Sequence, residues 1–235
     1  MTERPLRAVA DDFDQIAAAL GASRRERRIS RAEWFALRQV PGHATSALDV
    51  GCGDGLLTRA LAARGLTTTG IDVSPGMIAL ARQRDGVNSL IDYHVADVMS
   101  DGWPGATYDF VVSTAMAHHV PLRSLLTRLV RAVAPGGTLA IQDVTTRRGW
   151  RSLPLNVAAW LVRRIDRLAG RYVDDRLLRE LYRRHGADEE YLSAADVAPT
   201  YARLLPAAEV HLHLEWRYTA VWRHDRTRAG HDEQS

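Results

Sequence analysis

The chain has no lysine: all 31 residues in its Lys+Arg count are arginine. That excludes Schiff-base chemistry, pyridoxal-phosphate anchoring, and the lysines of P-loop enzymes and protein kinases. The single cysteine, Cys52, excludes intrachain disulfides, multi-cysteine zinc sites and iron–sulfur clusters. No apolar run approaches the ~18 residues of a membrane span. Asp11, Asp12 and Asp14 stand where a signal peptide would need its apolar segment, so the expected location is cytoplasmic. An excess of one charge is also missing. The arginines face 28 acids, leaving +3, and charge alone makes no case for nucleic acid or a membrane surface.

What is present is an ordinary globular composition, 46% hydrophobic over 235 residues, enough for one domain with a sizeable insertion. Ala47–Val50 is a short apolar run stopped by Gly51-Cys52-Gly53-Asp54-Gly55, and Leu57, Ala60, Leu61 and Arg64 then follow at helical spacing. Thr67–Asp72 predicts a second strand. Ser74 before Pro75 predicts an N-cap and a helix to about Arg84. Ile91–Val95 and Tyr108–Ser113 predict two more strands, the latter apolar enough to be buried on both faces. Residues 122–133 carry a leucine- and valine-rich helical face, and Pro135-Gly136-Gly137 predicts a sharp turn into a strand at Thr138–Asp143. Strands alternating with helices imply a parallel sheet with helices on both faces, whose ligands sit beyond the strands' carboxyl ends.

This pattern predicts five regions: an N-terminal helical lid over 1–40, a core over 41–144, a helical cap over 145–205, an antiparallel strand pair over 206–225, and a disordered tail over 226–235. The arginine cluster at Arg24, Arg25, Arg27, Arg28 and Arg31 reads as a solvated helix face. Within the cap, Trp150, Trp160, Tyr172 and Tyr182 form either its own core or the wall of an aromatic pocket. Arg147, Arg148 and Arg151 can pair with an acidic substrate or simply face water.

The glycine loop carries the first chemistry. Glycines at 51, 53 and 55 let backbone approach a ligand, and the following helix N-terminus offers free N–H groups. A dinucleotide fingerprint wants glycine at position 56, where this chain has Leu56. Asp72, ending the second strand, suits both hydroxyls of a ribose. Asp97 can accept from the exocyclic amine of a base or can be turn chemistry. Cys52 is either a thiol activated by the helix N-terminus or a small residue in a tight turn. His211 and His213 share one strand face, but with no clear carboxylate or cysteine partner no metal site is expected.

Leu48-Asp49-Val50-Gly51-Cys52-Gly53-Asp54-Gly55, Ile71-Asp72-Val73-Ser74-Pro75-Gly76-Met77, His94–Val98, Tyr108–Ser113 through His118-His119-Val120, and Pro135–Leu139 occur in that order. Together they resemble the motifs of class I S-adenosylmethionine-dependent methyltransferases, closest to the small-molecule enzymes related to ubiquinone and menaquinone C-methyltransferases. Phe13–Ala17 resembles the start of these enzymes, and Asp54 stands where many carry threonine, at a helix-cap position. The resemblance implies an α/β, Rossmann-like fold: a mostly parallel seven-stranded sheet with an antiparallel last strand. It implies S-adenosylmethionine as cofactor and methyl transfer to a small organic acceptor on O, N or C. By position, Gly51 and Gly53 would wrap the methionine part and Asp49 would receive its amino group. Asp72 would hold the ribose, Met77 would pack near the adenine, and Asp97 with the Val98 backbone would read the adenine amine. Ser113, Thr114 or Ala115 would lie under the sulfonium, with Cys52 and Val73 completing the pocket.

His118 and His119 are the candidate catalytic pair, acting as general base or only packing and hydrogen-bonding, since methyl transfer can proceed by orientation alone. Two rivals stand: a cofactor-binding protein without catalysis, and an NAD(P)-dependent oxidoreductase, against which Leu56 speaks. Nucleic-acid methylation is weaker, with no base-flipping proline–aromatic motif after the fourth strand. Monomer and homodimer are both open.

Overall fold

The computed structural model describes residues 5–23, 26–100, 105–146, 153–168, 176–187, 189–214 and 216–225. Five strands run parallel: β1 (Ser46–Val50), β2 (Thr67–Asp72), β3 (Ile91–Val95), β4 (Tyr108–Thr114) and β5 (Val133–Val144). β7 (Arg217–Arg223) pairs antiparallel with β5, and β6 (Glu209–His213) antiparallel with β7. The sheet order is β3-β2-β1-β4-β5-β7-β6. Strand order reverses between β1 and β4, which opens a crevice at their carboxyl ends.

Two helical layers cover the sheet. α5 (Leu122–Arg131) and α8 (Val197–Leu204) bury Leu125, Leu129 and Tyr201 against Leu48, Val111 and Leu139. On the opposite face, α2 (Arg31–Leu37) and α3 (Leu56–Ala62) bury Leu37, Leu57 and Leu61 against Ala47, Phe110 and Val112. Each such leucine contributes roughly 1.5–3 kcal/mol by burial. Alternate residues of the same strands supply the two cores, as the period-2 geometry of a strand requires.

Local signals start the helices. Ser30 and Glu33 form a reciprocal capping box on α2. Ser74 caps α4 (Pro75–Asp85), its hydroxyl accepting from Met77 N at 3.0 Å, with Pro75 in the first turn. Ser74 Oγ donates onward to Asp14 Oδ1 at 2.5 Å, and Gly76 N donates to the same oxygen at 2.8 Å. Asp14 lies on α1 (Leu6–Ala22), so the N-terminal helix is fastened to the start of α4. After β5 come α6 (Leu153–Leu168) and α7 (Arg176–His185), and α7 packs on α1.

One boundary differs from expectation. β5 begins at Val133 rather than Thr138, because Val133 pairs with Tyr108 before a register break that re-pairs Thr138 with Phe110. Pro135-Gly136-Gly137 is accommodated inside that break. Gly136 adopts φ 82° and donates to His224 O, and His224 N returns a bond to Gly137 O. Trp150, Tyr172, Arg24, Arg25, Arg147, Arg148, Arg151 and the 226–235 tail lie outside the described residues.

Candidate active site

A cavity of about 700 Å³ opens at the carboxyl ends of β1, β2 and β4, within the range of small-molecule sites. One end is lined by the glycine loop. Gly51, Gly53 and Gly55 all have positive φ (73°, 53° and 74°), so the loop turns sharply into α3 with its backbone facing ligand space. At Gly51 a Cβ would fall 2.9 Å from the Met116 side chain, so both conformation and space demand glycine there.

Asp72 holds this loop in place. Its carboxylate accepts from Gly53 N and Ser74 N, each at 2.9 Å, tying the β1 loop to the β2 loop. Burial pushes its carboxyl above the usual range, opposed by those two N–H donors. Val73, Met77, Asp97 and Val98 complete this end, and Asp97 Oδ1 accepts from Met99 N at 2.7 Å. Cys52 lines the cavity too, but burial, then the neighbouring Asp72 and Asp49, push its thiol well up. The tight-turn reading of Cys52 is therefore the one supported, and thiol activation by α3 is not.

Asp49 and Ser113 are not on the cavity wall. Both are fully buried in the sheet; Asp49 Oδ2 accepts from Thr58 Oγ1 at 2.7 Å, while its Oδ1 and Ser113 Oγ have no hydrogen-bond partner among the described residues. Burial pushes the Asp49 carboxyl up to about 7. At the end of β4 it is Thr114, Ala115 and Met116 that face the cavity, with Ala115 held at φ 54°. Asp54 does not cap α3, a role taken by Gly55; it is buried and ion-paired with Arg84, with Arg27 Nε 3.7 Å away. Arg27 also bonds Glu33 at 2.7 Å, so it is a half-buried strut on the cavity wall rather than part of a solvated face. Arg28 and Arg31 are exposed.

The far end is built from histidines. His118 and His119 end a short 3-10 turn, Ala117–His119, directly after β4. His118 Nδ1 meets Asp143 Oδ1 at 2.7 Å, His119 Nδ1 meets Glu189 Oε1 at 3.2 Å, and His185 Nδ1 on α7 meets Asp12 Oδ2 at 3.0 Å. All three rings line the cavity, with Tyr191, Arg217 and Tyr182 beside them. Phe13 packs edge-on against His185 and His119. Trp160 is exposed beneath Arg164 and does not line the cavity. His211 and His213 pack instead on Phe35, and His213 Nε2 bonds Thr219 Oγ1 at 2.8 Å.

Sequence reasoning missed His185, Asp143, Glu189 and Asp12. Asp143 had a signal, being an aspartate that ends an apolar strand as Asp72 does; His185 sits among arginines with none. The arrangement offers carboxylates at two strand ends, a glycine cradle and apolar walls, which can accept from hydroxyls and amines and pack a flat ring. Among the described residues, no helix is long and apolar enough to cross a membrane.

Residues 48–141 match the family model described as a methyltransferase domain. The chain is 39% identical over 130 residues to an uncharacterized methyltransferase of Mycobacterium tuberculosis, covering 54% of this chain and 66% of that protein. It is 35% identical over 127 residues to 2-methyl-6-phytyl-1,4-hydroquinone methyltransferase of Synechocystis, covering 53% and 39%. It is 36% identical over 103 residues to a ubiquinone biosynthesis O-methyltransferase of Pseudomonas paraeruginosa, covering 42% and 44%. The chain thus spans less than two thirds of the length of these curated relatives. In fold it is similar to the N-methyltransferase NodS of Bradyrhizobium japonicum in complex with S-adenosylhomocysteine (TM-score 0.58, 18% identity, covering 91% of this chain and 99% of that one). It is likewise similar to a phosphoethanolamine N-methyltransferase of Haemonchus contortus (TM-score 0.56, 21% identity, covering 85% and 43%). Motif order and sheet topology agree with that match: residues 48–141 carry a methyltransferase domain, and the fold is shared with solved methyltransferases.

Proposed function

We propose that the protein transfers the methyl group of S-adenosylmethionine to a small organic acceptor held at the histidine end of the cavity. The observation that carries this reading is one continuous cavity, with the glycine loop, Asp72 and Asp97 at one end and His118, His119 and His185 at the other. The cofactor supplies a methyl already activated by a sulfonium. The chain's own task is to hold the acceptor in line and keep water out.

In this reading Gly51 and Gly53 wrap the methionine part, and Asp72 accepts from the ribose hydroxyls. Met77 and Val98 flank the adenine, and Asp97 accepts from its amine. Asp49 acts from behind, through the β1 strand end, rather than by direct contact. Thr114 and Ala115 lie beneath the reacting centre. His118 is the candidate base. With Asp143 as acceptor, its hydrogen sits on Nδ1, leaving Nε2 to take a proton from an acceptor hydroxyl. α1 serves as lid and the segment carrying α6 and α7 as cap, a role supported by Phe13, Leu178 and Tyr182 on the cavity wall. Relatives named for a hydroquinone and for ubiquinone biosynthesis support hydroxylated rings as the acceptors to try first.

The test is methyl transfer from radiolabelled S-adenosylmethionine across a panel of hydroxylated aromatic, amine and acidic-carbon acceptors, with S-adenosylhomocysteine release followed in parallel. Transfer to one class, weakened in Asp72→Ala, supports the reading. Tight cofactor binding with no transfer to any class would favour a non-catalytic binding protein.

A further inference from the structure

We propose that His118, His119 and His185 form a site for a divalent transition metal of the zinc type, opening into the acceptor end of the cavity. The acceptor placement rests on the function proposed above; the metal site itself does not. One ring nitrogen from each histidine lies within 4.8 Å of those from the other two. The three come from separate parts of the chain: two from the turn after β4, the third from the end of α7. Nothing in their spacing along the sequence suggests a site.

The stronger argument is what stands behind each ring. Every Nδ1 faces a carboxylate: Asp143, Glu189 and Asp12. A carboxylate accepts, so each hydrogen is held on Nδ1 and Nε2 is the nitrogen each ring presents as a lone pair. That carboxylate–imidazole arrangement is the one metal-binding histidines use to fix tautomer and raise ligand basicity. His119 Nε2 and His185 Nε2 then stand 3.4 Å apart. Two nitrogens on a tetrahedral zinc at about 2.0–2.1 Å are about 3.3–3.4 Å apart by trigonometry. A ring nitrogen of His118 lies within 4.8 Å of both, within reach of the same ion.

Environment agrees with that assignment. The three imidazole side chains are 3–8% exposed, and two of the three carboxylates, Asp143 and Glu189, are similarly buried. Three histidines leave a fourth coordination position for water or a substrate oxygen, the pattern of a reactive rather than a purely structural zinc site. With an ion bound, His118 Nε2 is its ligand and no longer a base; the fourth position would take an oxygen nucleophile of the acceptor, whose proton such an ion makes easier to release. A shared proton between His119 and His185 is the competing arrangement, and it demands no third histidine.

The test uses untagged full-length protein, stripped with chelator and dialysed against Zn²⁺, with metal counted by mass spectrometry and Co²⁺ used as a spectroscopic probe. Expected are about one Zn²⁺ per chain and visible-region Co²⁺ bands of a low-coordinate nitrogen site. In His185→Ala, Zn²⁺ affinity should fall at least a hundredfold. In Asp143→Asn, which leaves all three ligands in place, it should fall ten- to a hundredfold. Titration with S-adenosylhomocysteine runs alongside on each variant, because that ligand occupies the other end; retained binding certifies that a variant has folded. Substoichiometric Zn²⁺ in the wild type, or equal affinity in wild type and His185→Ala, overturns the site. Metal binding without S-adenosylhomocysteine binding would instead overturn the proposed function and leave the site standing.

Discussion

Replacing Asp72 by asparagine separates the two tasks assigned to this residue, since shape is kept and charge removed. In the structure one carboxylate oxygen accepts from Gly53 N and the other from Ser74 N, both at 2.9 Å. An amide keeps one acceptor and turns an N–H donor toward one of those backbone donors. A charge-assisted bond of about 1.5–3 kcal/mol is lost. Part of that returns, because burial disfavours the ionised carboxylate and its neutral replacement escapes that cost. Gly53 also lines the cavity, so water can reach its N–H. The net loss of folding stability should be about 1–2 kcal/mol, read by urea denaturation. Ligand binding has no such compensation: a group that accepted at both oxygens can now accept at one. S-adenosylhomocysteine affinity, read by calorimetry, should fall about ten- to a hundredfold. Affinity within about twofold of wild type, with the stability loss present, would refute the ribose role and leave Asp72 a loop strut only.

Other consequences follow from the same geometry. Asp49, with its carboxyl pushed up to about 7 by burial, binds a proton in the folded state over a range where the unfolded chain has released it. Stability should therefore fall as pH rises from about 4 to about 7, by up to about 4 kcal/mol from this group. Asp49→Asn should flatten that part of a denaturation series; an unchanged slope would contradict it. Gly51→Ala places a Cβ 2.9 Å from Met116 at φ 73°, whereas Gly53→Ala meets nothing within 4 Å. The first should cost clearly more folding stability than the second, which meets only the backbone strain of about 1–2 kcal/mol; urea denaturation of both checks the contrast. Arg84→Ala leaves Asp54 buried with Arg27 at a longer 3.7 Å, and should cost about 3 kcal/mol in thermal or urea unfolding.

The sheet was legible because its signals are local. β1, β2, β3 and β4 are short apolar or β-branched runs, and Ser74-Pro75 announces α4 within two residues. The lining at the glycine-loop end of the cavity was nearly as readable, because Gly51, Gly53, Asp72 and Asp97 lie at or just beyond strand ends whose positions the alternation already implies. β5 was misjudged at its start, since a proline and two glycines read as a turn although the ladder continues through them. Asp49 and Ser113 were drawn into the site by their nearness in sequence to residues that line it. Strand alternation turns them away instead, and Thr114 and Met116 take the wall. The histidine cluster was the least legible part. His118 and His119 are adjacent in sequence, but His185 and Asp12 meet them only through the docking of α7 on α1, Asp143 through the pairing of β5 with β4, and Glu189 from the loop after α7, tertiary events with no local signal.

The central claim is that the cavity at the carboxyl ends of β1, β2 and β4 holds S-adenosylmethionine. Calorimetric titration of S-adenosylhomocysteine and of NADH into the wild-type protein tests it most directly. The account predicts one S-adenosylhomocysteine site per chain and no heat from NADH; NADH binding in place of S-adenosylhomocysteine would contradict it.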